Sequence, residues 1–233
     1  MLSYFEHNEQ RRAAELVERL RGGAAIALVS DAGTPVISDP GFRLVRAAIE
    51  AGITVTAVPG PSAVAAAISI AGLPSNRFTF EGFIPSKATA RTKMLGALRR
   101  EDRTMVFFEA ARRLGATLHE MASAFGGERR AVVLRELTKT HEEVIRGTLG
   151  ELARRFAESK ALGEITIVVE GASEAAMESD SGPGEVTIAK LLEAGMKLKE
   201  ASAVVARLTN RSRREIYQQA LRAGHRGKEP AAD

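Results

Sequence analysis

The sequence predicts an α/β fold, and three observations carry that prediction. Apolar runs of strand length alternate with segments of helical periodicity, glycine or proline marks the junctions, and a hydrophobic content of 45% supplies a core. At 233 residues the chain fits one large domain or two small ones.

Ala13, Leu16, Val17 and Leu20 fall at helical spacing over 12–21, and Gly22-Gly23 stops that helix. The apolar run AAIALVS at 24–30 reads as a buried parallel strand. After a polar, glycine-bearing turn, Leu44, Val45, Ala48 and Ile49 mark a helix at 41–51, and ITVTAV at 53–58 reads as the next strand. PGPS at 59–62 turns into an alanine-rich helix at 62–71 that Gly72 closes. Such alternation is the grammar of a doubly wound sheet. Two strands are too few for an open sheet to stand alone, so this segment leans on the second half of the chain and on a partner subunit, or lacks a leading piece.

The rhythm changes at Leu73-Pro74-Ser75, which places a domain boundary there. Strands are predicted at 77–83, 104–109, 130–137 and 164–171, and helices at 87–99, 112–124 and 148–158. The expected division is a partial N-terminal α/β domain at 1–74, a second α/β domain at 75–171, a polar linker at 172–184 and a basic helical segment at 185–233. Within that last segment, helices are expected at 185–195, 199–208 and 212–222.

Composition excludes several chemistries. Cysteine is absent, which removes disulfides, thiolate nucleophiles and Cys-built metal sites. His7, His119, His141 and His225 show no HExxH-like spacing, so no metal is expected. No apolar run reaches membrane-spanning length and the amino terminus has no hydrophobic signal core, which places the chain in the cytoplasm without a membrane partner. A net charge of +4 permits an anionic partner without requiring one.

Two loops are placed for ligand binding. SDAGTPVISDPG at 30–41 follows a predicted strand and precedes a helix, where ligands sit in α/β proteins. Gly33 lets backbone amides approach a ligand, Pro35 and Pro40 stiffen the loop, and Asp31 and Asp39 accept hydrogen bonds. The plainer alternative is a tight turn with Asp39 capping the next helix. PGPSA at 59–63 is the second loop, with Ser62 as a helix cap and small residues from Ala63 to Ala67 behind it. Neither GxxxxGK[ST] nor GxGxxG is present, which lowers the rank of ATP and NAD. Lys87, Arg91, Glu109, Arg112, Arg113, Arg135, Glu136, Lys139 and Glu142 lie at or just past strand ends, placed for phosphates or for interdomain ion pairs. Arg207, Arg211, Arg213, Arg214, Arg222, Arg226 and Lys228, with Tyr217, form a nucleic-acid contact patch or a solvated helix.

SDAGTPVISDPG followed by PGPSA resembles the tetrapyrrole-methylase-like superfamily of S-adenosylmethionine-dependent methyltransferases. YFEHNE (4–9), GLPSNRFTFEGFIPSK (72–87), FFEAARR (107–113), FGGERRAVVLRELTKTHEEVIRGTL (125–149) and KALGEITIVVEG (160–171) narrow the likeness. Together they resemble the branch that methylates the ribose 2′-hydroxyl of a cytidine in small-subunit (16S) ribosomal RNA. The resemblance implies two α/β domains of tetrapyrrole-methylase type, S-adenosyl-L-methionine in the cleft between them, a homodimer, a small helical tail and the 30S subunit as partner. It implies that Asp31, Ala32, Gly33, Thr34, Pro35 and Asp39, with Pro61, Ser62 and Ala63, line the methyl-donor pocket. Glu109, or Lys87 with a lowered pKa, would accept the ribose proton, while Arg113 and Lys139 orient phosphates.

Members of the family begin with a strand and a TPxGNLxD loop and carry a later EDTR block. Neither motif stands in this sequence, so the N-terminal domain reads as truncated. The family's ESPHR is EAARR here, with Ala110, Ala111 and Arg112 in place of Ser, Pro and His, which removes a histidine base at that point. The alternative readings are methylation of a tetrapyrrole carbon and an inactive RNA-binding remnant.

Overall fold

The computed structural model describes residues 1–158, 162–173, 188–209 and 212–222. The chain divides into two compact units, Met1–Ala172 and Ser173–Asp233.

The first unit is organised by a five-stranded sheet in the order β1-β2-β5-β3-β4. These strands are β1 (Phe78–Phe83), β2 (Thr104–Ala110), β3 (Arg130–Arg135), β4 (Glu143–Thr148) and β5 (Glu164–Val169). β1 and β2 run parallel, while β5 is antiparallel to both its neighbours β2 and β3. The carboxyl ends of β1, β2 and β3 therefore share one edge with the amino ends of β4 and β5.

Alternate side chains of the central strands face opposite ways, as the two-residue period of a strand requires. Met105, Phe107, Val133, Ile165, Ile167 and Val169 pack against helices α5 (Leu114–Phe125) and α6 (Leu149–Phe156). Val106, Val132, Leu134 and Val168 face helix α3 (Ala63–Ala71), whose Ala67 and Ala71 permit close approach. The sheet is thus covered on both faces, and α3 ties the segment before the predicted boundary to the strands after it. Ser62 caps α3 by accepting a hydrogen bond from the Ala65 amide at 3.3 Å, and Gly72 closes it in the left-handed region.

Two elements differ from the reading of the sequence. Residues 24–30 and 53–58 form no strand, because among the described residues no strand pairs with either. Ile26 and Ile53 pack with Leu16, Val17 and Leu44 beneath α1 (Glu9–Arg21) and α2 (Phe42–Glu50). Their outer sides stay open, with Val29 74% and Val58 88% exposed. The sheet of β1–β5 is mixed, since only the β1–β2 pair is parallel, and the doubly wound alternation expected over residues 12–72 forms no sheet of its own among the described residues. Strand β4 was not expected: EVIRGT has two large apolar residues between charges, the composition of a sheet edge.

In the second unit, α7 (Ile188–Glu193) precedes α8 (Leu198–Thr209) and α9 (Arg213–Arg222). Leu198, Ala201, Ser202, Ile216 and Ala220 are buried, and Arg213 donates to the Lys199 carbonyl at 3.2 Å. Arg207, Arg213 and Arg214 are exposed. The predicted linker from residue 174 onward, and Arg211, Arg226 and Lys228, lie outside the described residues. Among those described, no helix is long and apolar enough to cross a membrane.

Candidate active site

The structure brings the two ligand-type loops together. Thr34 Oγ1 donates to the Pro61 carbonyl at 2.9 Å, joining loop 30–41 to the PGPSA turn. Within the first loop, Ser30 Oγ reaches the Asp39 carboxylate and the Ala32 carbonyl, and accepts from the Ala32 amide at 3.3 Å. Asp31, Ala32, Gly33 and Thr34 are exposed, and Gly33 (φ +73°) has open space where a side chain would stand. Val36 (φ 75°) and Ser38 (φ 59°) also lie in the left-handed region. For a β-branched residue such as Val36 that conformation costs roughly 1–3 kcal/mol, a strain characteristic of ligand-holding loops. An open glycine flanked by strained backbone and by Asp31 and Asp39 fits a ligand with amino and hydroxyl donors, as S-adenosylmethionine is.

Asp39 does not cap α2. That role falls to Glu9, whose Oε1 accepts from the Gly41 amide at 3.0 Å and the Arg43 amide at 3.2 Å. Gly41 (φ +142°) has no alternative, because a Cβ there would strike the side chains of Leu28 and Val36. Tyr4 lies against Glu9, and burial, followed by the Glu9 charge, pushes its phenol up to about 12. Sequence pattern alone assigns Glu9 no role. The available signal was its place at the end of YFEHNE.

Lys87, Arg113 and Lys139 follow the carboxyl ends of β1, β2 and β3, and Glu109 is the penultimate residue of β2, so all four stand at the one shared sheet edge. The loop at 30–41 reaches this edge near β1: a Cβ on Gly82 would lie 3.7 Å from Ser38 Oγ. The four residues do not form one cluster. Glu109 is 2% exposed, and its carboxylate is fully engaged. Oε1 accepts from the Ala110 amide at 2.6 Å and pairs with Arg113, while Oε2 accepts from Thr117 Oγ1 at 2.5 Å. Lys139 pairs with Glu136 at 3.0 Å and Glu164 at 3.2 Å, which holds its ammonium above the ordinary range. Glu136 is held low, first by the Glu164 amide and then by Lys139. Lys87 is exposed at the start of α4 (Ala88–Leu98), and its side chain makes no capping bond.

Farther along the same edge a cavity of about 540 Å³ lies among Arg135, His141 and Leu162. Arg135 is already bonded to the Leu162 carbonyl at 2.7 Å and to Glu143 at 3.1 Å.

Residues 3–153 match the family of Tetrapyrrole (Corrin/Porphyrin) Methylases, and residues 182–224 match the RsmI C-terminal HTH domain. A protein of Xylella fastidiosa named Ribosomal RNA small subunit methyltransferase I is 47% identical over 223 residues, covering 93% of this chain and 80% of the relative. Its namesake from Mycobacterium tuberculosis is 48% identical over 206 residues, 88% of this chain and 71% of the relative. Among solved structures, diphthine synthase aligns with a TM-score of 0.55 at 17% identity, covering 75% of this chain and 73% of that one. The methyltransferase CobJ aligns with a TM-score of 0.53 at 20% identity, covering 70% and 72%, and the two establish the fold alone. The matched family model, the relatives of high identity and the paired ligand loops lead to one conclusion: the chain belongs to the tetrapyrrole methylase superfamily and, within it, to the ribosomal RNA small subunit methyltransferase I family of S-adenosylmethionine-dependent enzymes.

Proposed function

We propose that this methyltransferase modifies the ribose 2′-hydroxyl of a cytidine in the 16S RNA of the 30S subunit. The observation that carries the reading is the bond from Thr34 to Pro61, which joins two loops of donor-binding composition beside the edge that presents Lys87. Residues 1–74 hold the methyl donor, and residues 75–171 supply the substrate side.

When bound, S-adenosylmethionine supplies an electrophilic methyl group on a positively charged sulfur. Asp31, Ala32, Gly33, Thr34, Pro35 and Asp39 hold it from one loop, with Pro61, Ser62 and Ala63 from the other. On the substrate side Lys87 is the exposed group placed to take up the ribose proton, acting as its neutral amine and becoming the ammonium as the methyl group is transferred. Glu109, enclosed by Arg113 and Thr117, acts by fixing Arg113 rather than by reaching the substrate itself. Arg113 and Lys139 orient flanking phosphates, and fixed polar groups at this edge do most of the work of alignment. The exposed arginines of α9 contact the RNA backbone. Val29, Phe42, Ile49 and Val58 are exposed apolar residues that a second copy would cover, in keeping with a homodimer.

The test is transfer of labelled methyl from S-adenosylmethionine to purified small ribosomal subunits, followed by digestion to nucleosides. Label in 2′-O-methylcytidine is the expected result. Label on a base, or none in the subunit RNA, overturns the reading.

A further inference from the structure

Three consecutive carbonyls between β1 and α4 are held by two arginines. Arg113 donates to Ile84 O at 3.0 Å, and Arg91 Nη1 donates to Pro85 O at 3.2 Å and Ser86 O at 3.1 Å. Each arginine is in turn fixed by a carboxylate. Glu109 pairs with Arg113, and Glu120 on α5 takes Arg91 in a two-pronged contact at 2.6 and 2.5 Å. The Arg91 side chain is 12% exposed, and Ile84 is sealed in the core below the segment. The next residue after the third carbonyl is Lys87, which is exposed.

Helix stability does not account for Arg91. It stands in the first turn of α4, which has no acidic residue, and a cation there opposes the positive end of the helix dipole. What the guanidinium does is bridge: its planar fork meets Glu120 on one side, while its remaining nitrogen meets the two carbonyls on the other. The Glu120 carboxyl is held below its usual range, first by this bond, so the pair stays charged through neutral pH.

We propose that Arg91, anchored by Glu120, is a positioning residue for methyl transfer: by fixing Pro85 and Ser86 it sets where Lys87 meets the ribose. The proposal rests on the reading of Lys87 given above. Without the clamp the two carbonyls turn to water, and Lys87 samples positions from which transfer is slow.

The test compares the full chain with Arg91→Gln, Lys87→Ala and the double variant in methyl transfer to small ribosomal subunits. kcat, KM, donor affinity and thermal midpoint are recorded for each. Arg91→Gln is expected to lower kcat about tenfold while KM and donor affinity stay within about twofold. The double variant is expected to be no slower than Lys87→Ala alone, because both changes act through one group. Arg91→Lys keeps the charge without the fork and is expected to fall between wild type and Arg91→Gln. It supplies the same reading if glutamine unfolds the chain. Multiplicative losses in the double variant, or a full rate for either Arg91 variant, overturn the positioning role and leave the Lys87 reading standing. A full rate in Lys87→Ala overturns the Lys87 reading and the proposal with it.

Discussion

Glu101 shows how much a single carboxylate settles in this chain. It accepts from the Arg103 amide at 3.0 Å and from the Arg103 guanidinium at 2.6 and 2.8 Å, while its own carbonyl receives the Ala172 amide at 2.6 Å. The Arg103 side chain, ahead of opposing burial, holds the Glu101 carboxyl down at about 2. Because the folded-state value is depressed, its stabilisation is present above the ordinary carboxylate range and is lost as pH falls through about 2. Glu101→Gln is therefore expected to lower stability at neutral pH and to flatten its decline between about 4.5 and 2. Urea midpoints measured across that window check this, and an unchanged slope counts against it. At the same scale, the roles of site residues were only partly legible in the sequence. Glycine and proline announced loop 30–41, but the left-handed backbone at Val36 and Ser38 goes against residue preference and left no local signal. Arg91 stood in the sequence as one strand-end charge among nine, since a partner 29 residues away at Glu120 is set by tertiary packing.

Helices proved more legible than strands because they carry their own boundaries. Gly72 ends α3 and the Thr148–Glu151 capping box opens α6, each a local signal. A strand is a property of a pair, which is why AAIALVS at 24–30 has strand composition without strand structure. β2, β3 and β5 read correctly because their apolar runs find one another in the central sheet. Helix contacts left a subtler mark. α5 meets α6 at Gly115, where an added Cβ would run into the Phe156 carbonyl. Gly115→Ala is expected to destabilise the fold by about 1–3 kcal/mol, since a clash with backbone is not relieved by a side-chain rotation. Thermal or urea unfolding measures this, and a neutral or stabilising change would show that the two helices separate freely.

On the scale of the molecule, charge is distributed by unit rather than by total. The net charge is only +4, yet α9 presents exposed Arg213 and Arg214, with Glu215 the acidic residue of its first turn. Replacing both arginines by glutamine is expected to weaken binding to ribosomal RNA and to reduce the slope of log affinity against log salt by roughly 1 to 2. Titration at several salt concentrations reads the slope, and donor affinity should not move. An unaltered slope would remove α9 from the RNA surface.

The position of β5 has its own consequence for the order in which the molecule is made. It is the central strand of the sheet and also the last of the five in sequence, joining the β1–β2 pair to the β3–β4 pair. Until β5 has been synthesised, the β1–β2 pair and the β3–β4 pair lack the strand that joins them. Neither Phe107 nor Val133 can reach its final apolar surroundings before then. Folding of this unit is thus deferred to the end of its synthesis, and the nascent chain must be kept from pairing with its neighbours in the interval.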